Sequence, residues 1–235
     1  MKLLRLYDDL LDLYGDSGNF TVIKTRLAEA GYDPVAECRS VGDPFDLTQY
    51  NFIYISPGLP KNLAVAAADL VPRSENLFEA IENGVVFLAT GNAPALFGEE
   101  LILDDGEKIK GCGLFPVKHH FGKKITIRDL VGFTDTGLEV TGFLNSTDTR
   151  EGEYETPFVR ITGSGKTDCG RTSYDKTTDG TRKKNLFATE LLGPVLVRNP
   201  ELLRELLNLI AGEPLPPYDD ALETEAAKRI LKELI

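Results

Sequence analysis

The sequence predicts an α/β protein: a mainly parallel sheet flanked by helices, with added β-hairpins and a C-terminal helix. Three observations carry this reading. From Lys2 to Phe97, strand-like and helix-like stretches alternate as β-α-β-β-α-β-α, the order that builds a parallel sheet covered by helices. Val85 to Ala89 is a short continuous apolar run, as expected of a strand buried on both faces. After Gly98 the texture changes to short β-like runs, and helical periodicity returns only at Asn199.

Lys2 to Leu6 reads as the first strand. A helix follows, capped by Ser17 or Asn19, with Phe20, Ile23 and Leu27 on one face and Gly31 beyond its end. Pro34 to Val41 and Phe52 to Ser56 are the next strands, the latter running into the stiff turn Ser56-Pro57-Gly58-Leu59-Pro60. Asn62 to Val71 and Ser74 to Asn83 read as helices, and Gly84 closes the second. Leu101 to Lys110 is a hairpin pattern turning at Asp105-Gly106. Lys124 to Ile127, Glu139 to Phe143 and Pro157 to Thr162 are β-like, Gly163 to Lys184 reads as loop, and Leu186 to Glu190 returns to the sheet. Asn199-Pro200 starts a helix with Leu202, Leu203, Leu206, Leu207 and Ile210 apolar and Gly212 as its stop. A proline-rich connector leads to a last helix, Ala221 to Leu234, with Leu222, Ala226, Ile230 and Leu234 as its stripe. The partition expected is one domain over 1–212 with a helical extension over 213–235.

The elbow at the end of Val85 to Ala89 organises the rest. There the run stops at Thr90-Gly91-Asn92, and Ala93 to Phe97 reads as the first turns of a helix with Pro94 near its start. A strand, a tight turn and a helix lift one residue to the C-terminal edge of a sheet, where free N–H groups and the helix dipole favour negative charge. The residue at that point is Gly91, which has no side chain.

A net charge of −11 argues against binding nucleic acid through a broad basic surface. Cys38, Cys112 and Cys169 show no CxxC spacing, so neither a zinc site nor a disulfide framework is indicated, and they fit a reducing cytosol. The first residues are interrupted by Arg5, Asp8, Asp9 and Asp12, unlike a signal peptide, and no run approaches the roughly 20 apolar residues of a membrane span. A cytoplasmic protein is expected.

Leu13-Tyr-Gly-Asp-Ser-Gly-Asn19, Ser56-Pro-Gly58, Gly111-Cys-Gly-Leu114, Gly142-Phe-Leu-Asn145, Asp179-Gly-Thr-Arg-Lys-Lys-Asn185, Gly193-Pro194 with Asn199-Pro-Glu201, and Asp219 to Glu223 occur in that order. Together they resemble the motifs of the class I glutamine amidotransferases, with their flavodoxin-like layering. Within them the chain resembles the cobyric-acid-synthase-type branch, and most of all the glutaminase subunits of lipid II isoglutaminyl synthase. The resemblance spans nearly the whole chain. It implies a Mur-ligase-like ATP-dependent partner subunit acting on a peptidoglycan precursor, glutamine as the small polar ligand, and no cofactor or metal.

The departures fall at the chemistry. The family's elbow presents a cysteine that attacks the glutamine carboxamide, its thiolate favoured by the helix N-terminus. Gly91 stands in its place. The family's general base is a histidine before Gly-Pro, and Leu192 stands there. Glycine offers no nucleophile and leucine neither takes nor gives a proton. The resemblance therefore implies a glutaminase scaffold without its catalytic pair, with Gly91 and Leu192 as vestigial positions. A ligand pocket is expected from Gly58, Thr90, Asn92, Lys124 and Asn145, with Lys123 or Lys124 at the place of an arginine that helps hold glutamine.

Other groups could in principle rescue the chemistry. Cys112, placed on a strand, with the loop residues His119 and His120 would make a Cys–His pair; a buried thiol and two loop histidines is the plainer reading. Thr90 lacks a visible base. His119-His120 lacks a third metal ligand, and adjacent residues on an extended chain point to opposite sides. Asp8, Asp9, Asp12 and Asp16 do not match a calcium loop and read as a solvated or partner-facing edge. Gly163-Ser-Gly-Lys-Thr167 lacks the spacing of a phosphate loop. Two further readings remain: an active amidotransferase or hydrolase using relocated groups, and a free-standing binding module.

Overall fold

The computed structural model of the chain describes residues 1–164 and 177–234. β1 (Lys2–Leu6), α1 (Gly18–Glu29), β2 (Val35–Arg39), β3 (Phe52–Ile55), α2 (Pro60–Leu70), α3 (Ser74–Glu82) and β4 (Val86–Ala89) follow the predicted alternation to within a few residues at each end. The hairpin β5 (Glu100–Ile102) and β6 (Lys108–Lys110) turns through Gly106 at φ +88°. Then come β7 (Lys118–Thr134), β8 (Glu139–Glu151), β9 (Val159–Ser164), β10 (Thr178–Asp179), β11 (Thr181–Lys183), β12 (Leu186–Ala188), α4 (Val195–Arg198), α5 (Pro200–Ala211) and α6 (Ala221–Leu234).

Two sheets result. The first has the order β11-β12-β4-β3-β1-β2, parallel throughout except for β11. β3 and β4 are buried at every position, which is why both read as unbroken apolar runs. One core packs Leu4, Ile53 and Phe87 against α2 and α3; the other packs Leu3, Phe52 and Leu88 against α1 and α5. The second sheet has the order β10-β9-β7-β5-β6, with β8 paired to β7.

Several expectations need correction. Neither Ser17 nor Asn19 caps α1 through its side chain; Asn19 sits inside the first turn and is fully buried. The short β-like runs at Lys124 and Glu139 are parts of strands of 17 and 13 residues, and His119 and His120 lie on the first of these rather than in a loop. Cys112 conversely lies between β6 and β7, not on a strand. Ala93 to Phe97 forms only a five-residue 3-10 turn. Its helix cannot extend, because the Leu96 and Phe97 carbonyls accept from the N–H groups of Cys112, Leu114 and Phe115.

α5 ends at Gly212 in the left-handed conformation, as its position past the last apolar residue predicted. In α6 the expected stripe holds at Ile230 and Leu234, both half-buried, but not at its N-terminal end. Leu222 is 80% exposed and Ala226 is exposed, whereas Thr224, Ala227, Ile230 and Leu231 are half-buried. Arg26 of α1 pairs with Glu223 and holds that face inward. Gly165, Lys166, Thr167 and Cys169 lie outside the described residues.

Candidate functional site

Parallel pairing of β3 with β4, Ile55 opposite Ala89, brings their C-terminal turns to one edge. There Asn92 clamps the two turns together: its side-chain N–H donates to the Gly58 carbonyl at 2.7 Å, and its Oδ1 accepts from the Gly58 N–H at 3.0 Å. Gly91, between the strand and the clamp, sits at φ +60°, a conformation that side chains disfavour. Among the described residues, neither the Gly91 nor the Asn92 N–H has a hydrogen-bond partner. Two donors at the elbow are therefore unpaired, although the five-residue turn behind them supplies no extended helix dipole.

Leu192 closes the elbow from the other side. It follows β12, which lies parallel to β4, and its backbone exchanges two hydrogen bonds with Phe143 of β8 at 2.8 and 3.1 Å. A Cβ built on Gly91 would stand 2.9 Å from Leu192 Cδ2 and 2.7 Å from Pro57 Cβ. The two positions that the resemblance assigns to nucleophile and base are adjacent, and the space between them is filled by aliphatic carbon. The remaining cleft measures about 150 Å³, with Gly58, Asn92 and Asn145 in its lining. Tyr14, Leu59 and Ile125, all more than half exposed, stand at its walls.

Of the expected pocket residues, two lie elsewhere. Thr90 is fully buried behind the elbow, with its hydroxyl turned away from the cleft to Asp16. Lys123 and Lys124 line a neighbouring, larger cleft.

Asp16 is the residue that sequence reasoning misplaced. It is not on a solvated edge but fully buried behind the elbow. One carboxylate oxygen accepts from the hydroxyls of Thr90 at 2.5 Å and Tyr54 at 2.8 Å and from the Asn19 side chain at 3.1 Å. The other accepts from the Gly193 N–H at 3.4 Å. Burial pushes its carboxyl above the usual range, and these donors oppose the shift. Asp16 thus ties the start of α1, the ends of β3 and β4 and the Leu192–Gly193 turn to one point. Asp8 and Asp12 do lie nearer solvent and face Arg5 at 3.8 and 3.5 Å.

The Cys112–His119 pair does not form, and Cys112 is a buried thiol, as the plainer reading held. Both ring nitrogens of the buried His119 are engaged, Nδ1 2.5 Å from Asp148 Oδ2 and Nε2 3.1 Å from the Tyr154 hydroxyl. Burial pushes the Cys112 thiol up to about 11, so it is not a thiolate at neutral pH. His120 is on the opposite face, 3.3 Å from Glu151. Among the described residues no group of three or more His, Cys, Asp or Glu is placed to hold a metal, and no helix is long and apolar enough to cross a membrane.

Similarity to known proteins agrees with this architecture. The chain is 26% identical over 97% of its length to the lipid II isoglutaminyl synthase subunit GatD of Streptococcus pneumoniae, covering 89% of that protein. It is 26% identical over 98% of its length to the GatD subunit of Staphylococcus aureus, covering 94% of it. Among solved structures, one glutamine amidotransferase superposes with a TM-score of 0.52 at 14% identity, covering 88% of this chain and 98% of that one. Another, from Thermotoga maritima, gives 0.50 at 13% identity, covering 100% and 93%. The fold is that of a glutamine amidotransferase. Residues 2–200 match the CobB/CobQ-like glutamine amidotransferase domain, and the chain belongs to that family.

Proposed function

We propose that this chain is a glutamine amidotransferase-like subunit that does not itself hydrolyse glutamine and acts as the structural or regulatory partner of a Mur-ligase-like, ATP-dependent enzyme. That enzyme would modify a cell-wall precursor in the cytoplasm. The relatives named for lipid II isoglutaminyl synthase support the setting. The observation that carries the loss of hydrolysis is the Gly91–Leu192 contact, which fills the place of a nucleophile and its base with a hydrogen atom and a leucyl methyl. On this reading residues 1–212 form the amidotransferase-like domain and 213–235 an extension laid on it through Glu223 and the half-buried face of α6.

The test is ammonia release from glutamine by the chain co-purified with its Mur-ligase-like partner. A stable complex with no release above that of the partner alone is expected. Release abolished by substitution of a residue lining the elbow cleft, or covalent capture of Cys112 or Cys169 by a thiol-reactive glutamine analogue with loss of activity, overturns it.

A further inference from the structure

In the turn after β3, both polar groups of the Gly58 backbone are turned to one partner. The N–H donates to Asn92 Oδ1 at 3.0 Å, and the carbonyl accepts from Asn92 Nδ2 at 2.7 Å. A donor and an acceptor side by side are complementary to a primary carboxamide, which offers the reverse pair in one plane. A carboxylate or a tertiary amide lacks the donor and satisfies only the N–H. Gly58 is buried, and a Cβ there would collide with Leu11 Cδ2, so the turn is packed from behind.

The carboxamide in this recess belongs to the chain itself. Among the described residues, the Asn92 side chain has no hydrogen-bond partner other than Gly58. It is half-buried and lines the elbow cleft of about 150 Å³, so its terminal group lies beside open space rather than in a core. The backbone at Asn92, with φ −94° and ψ 0°, has the dihedrals of a common turn residue and makes no demand for asparagine. What distinguishes asparagine there is its end group, and glutamine ends in the same one.

We propose that the Gly58 turn is a recess for a primary carboxamide and that Asn92 occupies it from within, keeping out free carboxamides such as the end of a glutamine side chain. A tethered group competes as an intramolecular ligand and prevails over a free one that makes the same two bonds. The recess is therefore shut in the wild type and opens when the Asn92 side chain is removed. The inference rests on the geometry of the two turns and not on the loss of hydrolysis proposed above, and its test reads binding alone.

Acetamide is the Asn92 side chain with a hydrogen atom in place of Cα. Nitrogen-15-labelled wild type and Asn92→Gly are titrated with it, following the backbone amides by NMR. Saturable shifts at Gly58 and Gly91 are expected in Asn92→Gly with a midpoint below about 0.3 M, at least about tenfold tighter than in the wild type. Acetate and N,N-dimethylacetamide, without the donor, are each expected to bind Asn92→Gly at least about tenfold more weakly than acetamide. The thermal midpoint of Asn92→Gly is expected to rise with acetamide and not with N,N-dimethylacetamide. Asn92→Ala with formamide, the same replacement one carbon shorter, repeats the titration on a less flexible backbone. Wild type and Asn92→Gly saturating alike, N,N-dimethylacetamide binding as well as acetamide, or no saturable shift in either variant each overturn the proposal.

Discussion

Leu192 Cδ2 stands 2.9 Å from the point that a Cβ on Gly91 would occupy, with Pro57 Cβ at 2.7 Å on the other side. The elbow is thus shaped around the absence of a side chain. Gly91→Ala is expected to destabilise the protein by about 1–3 kcal/mol, through overpacking and the positive φ. Adding Leu192→Ala opens one side of the space, so the two substitutions are expected to couple by about 0.5–3 kcal/mol in a double-mutant cycle read from urea unfolding. Additive effects would show that Leu192 does not confine Gly91.

Thr90→Val keeps the volume at the end of β4 but removes the 2.5 Å hydrogen bond to Asp16. A buried carboxylate that loses one of its donors is expected to cost about 1–3 kcal/mol in unfolding free energy. A neutral result would mean that Tyr54, Asn19 and Gly193 suffice to satisfy Asp16.

Asn92→Ala removes both hydrogen bonds to the Gly58 backbone. The expected loss is about 1–2 kcal/mol, with faster amide exchange at Gly58. Unchanged exchange there would show that the turn after β3 is held by other contacts.

Asp179 gives a pH dependence of unusual sign. It is buried against Glu190, and burial first, then that neighbouring charge, pushes its carboxyl up to about 6. The folded state therefore binds the proton more tightly than the unfolded chain, whose aspartates titrate near 4. The contribution to stability is full below about pH 4 and is lost as pH rises through about 6. Relative to Asp179→Asn, the wild type is expected to lose stability between those values and to run parallel above pH 7. Urea midpoints across that range decide it; parallel curves throughout would refute the assignment.

Leu222, 80% exposed, is expected to accept lysine with a change within about 0.5 kcal/mol. Leu231, half-buried over the Asn199–Pro200 corner, is expected to lose more on truncation to alanine. Thermal unfolding of the two variants compares them directly. An equal loss would restore the stripe expected from the sequence.

The parallel core was legible because buried strands and capped helices announce themselves within a few residues. Phe52–Ile55 and Val86–Ala89 are apolar without interruption, and Gly31, Gly84 and Gly212 mark helix ends at positive φ. β7 was not, since Gly122 to Lys124 break its alternation and only pairing with β8 makes it one strand. Asp16 looked like its exposed neighbours because, Asn19 apart, nothing local distinguishes it. Its partners Tyr54, Thr90 and Gly193 are 38, 74 and 177 residues away. The α6 stripe slipped at its N-terminal end because Arg26 of α1, far away in sequence, chooses which face turns inward.

The pairing of β12 with β4 also sets the order in which the molecule can be completed. Phe87 meets Leu186, roughly a hundred residues later, so a growing chain exposes the edge of β4 long after that strand has been synthesised. Until the chain reaches Gly193, the elbow lacks its Leu192 wall and Asp16 lacks its contact from Gly193. The N-terminal half can assemble β1 to β4 early, but the cleft closes only once Leu192 and Gly193 have been made, with α4 to α6 alone still to come. A chain truncated before Leu186 would keep Gly58, Gly91 and Asn92 but lack the Leu192 wall that closes them in.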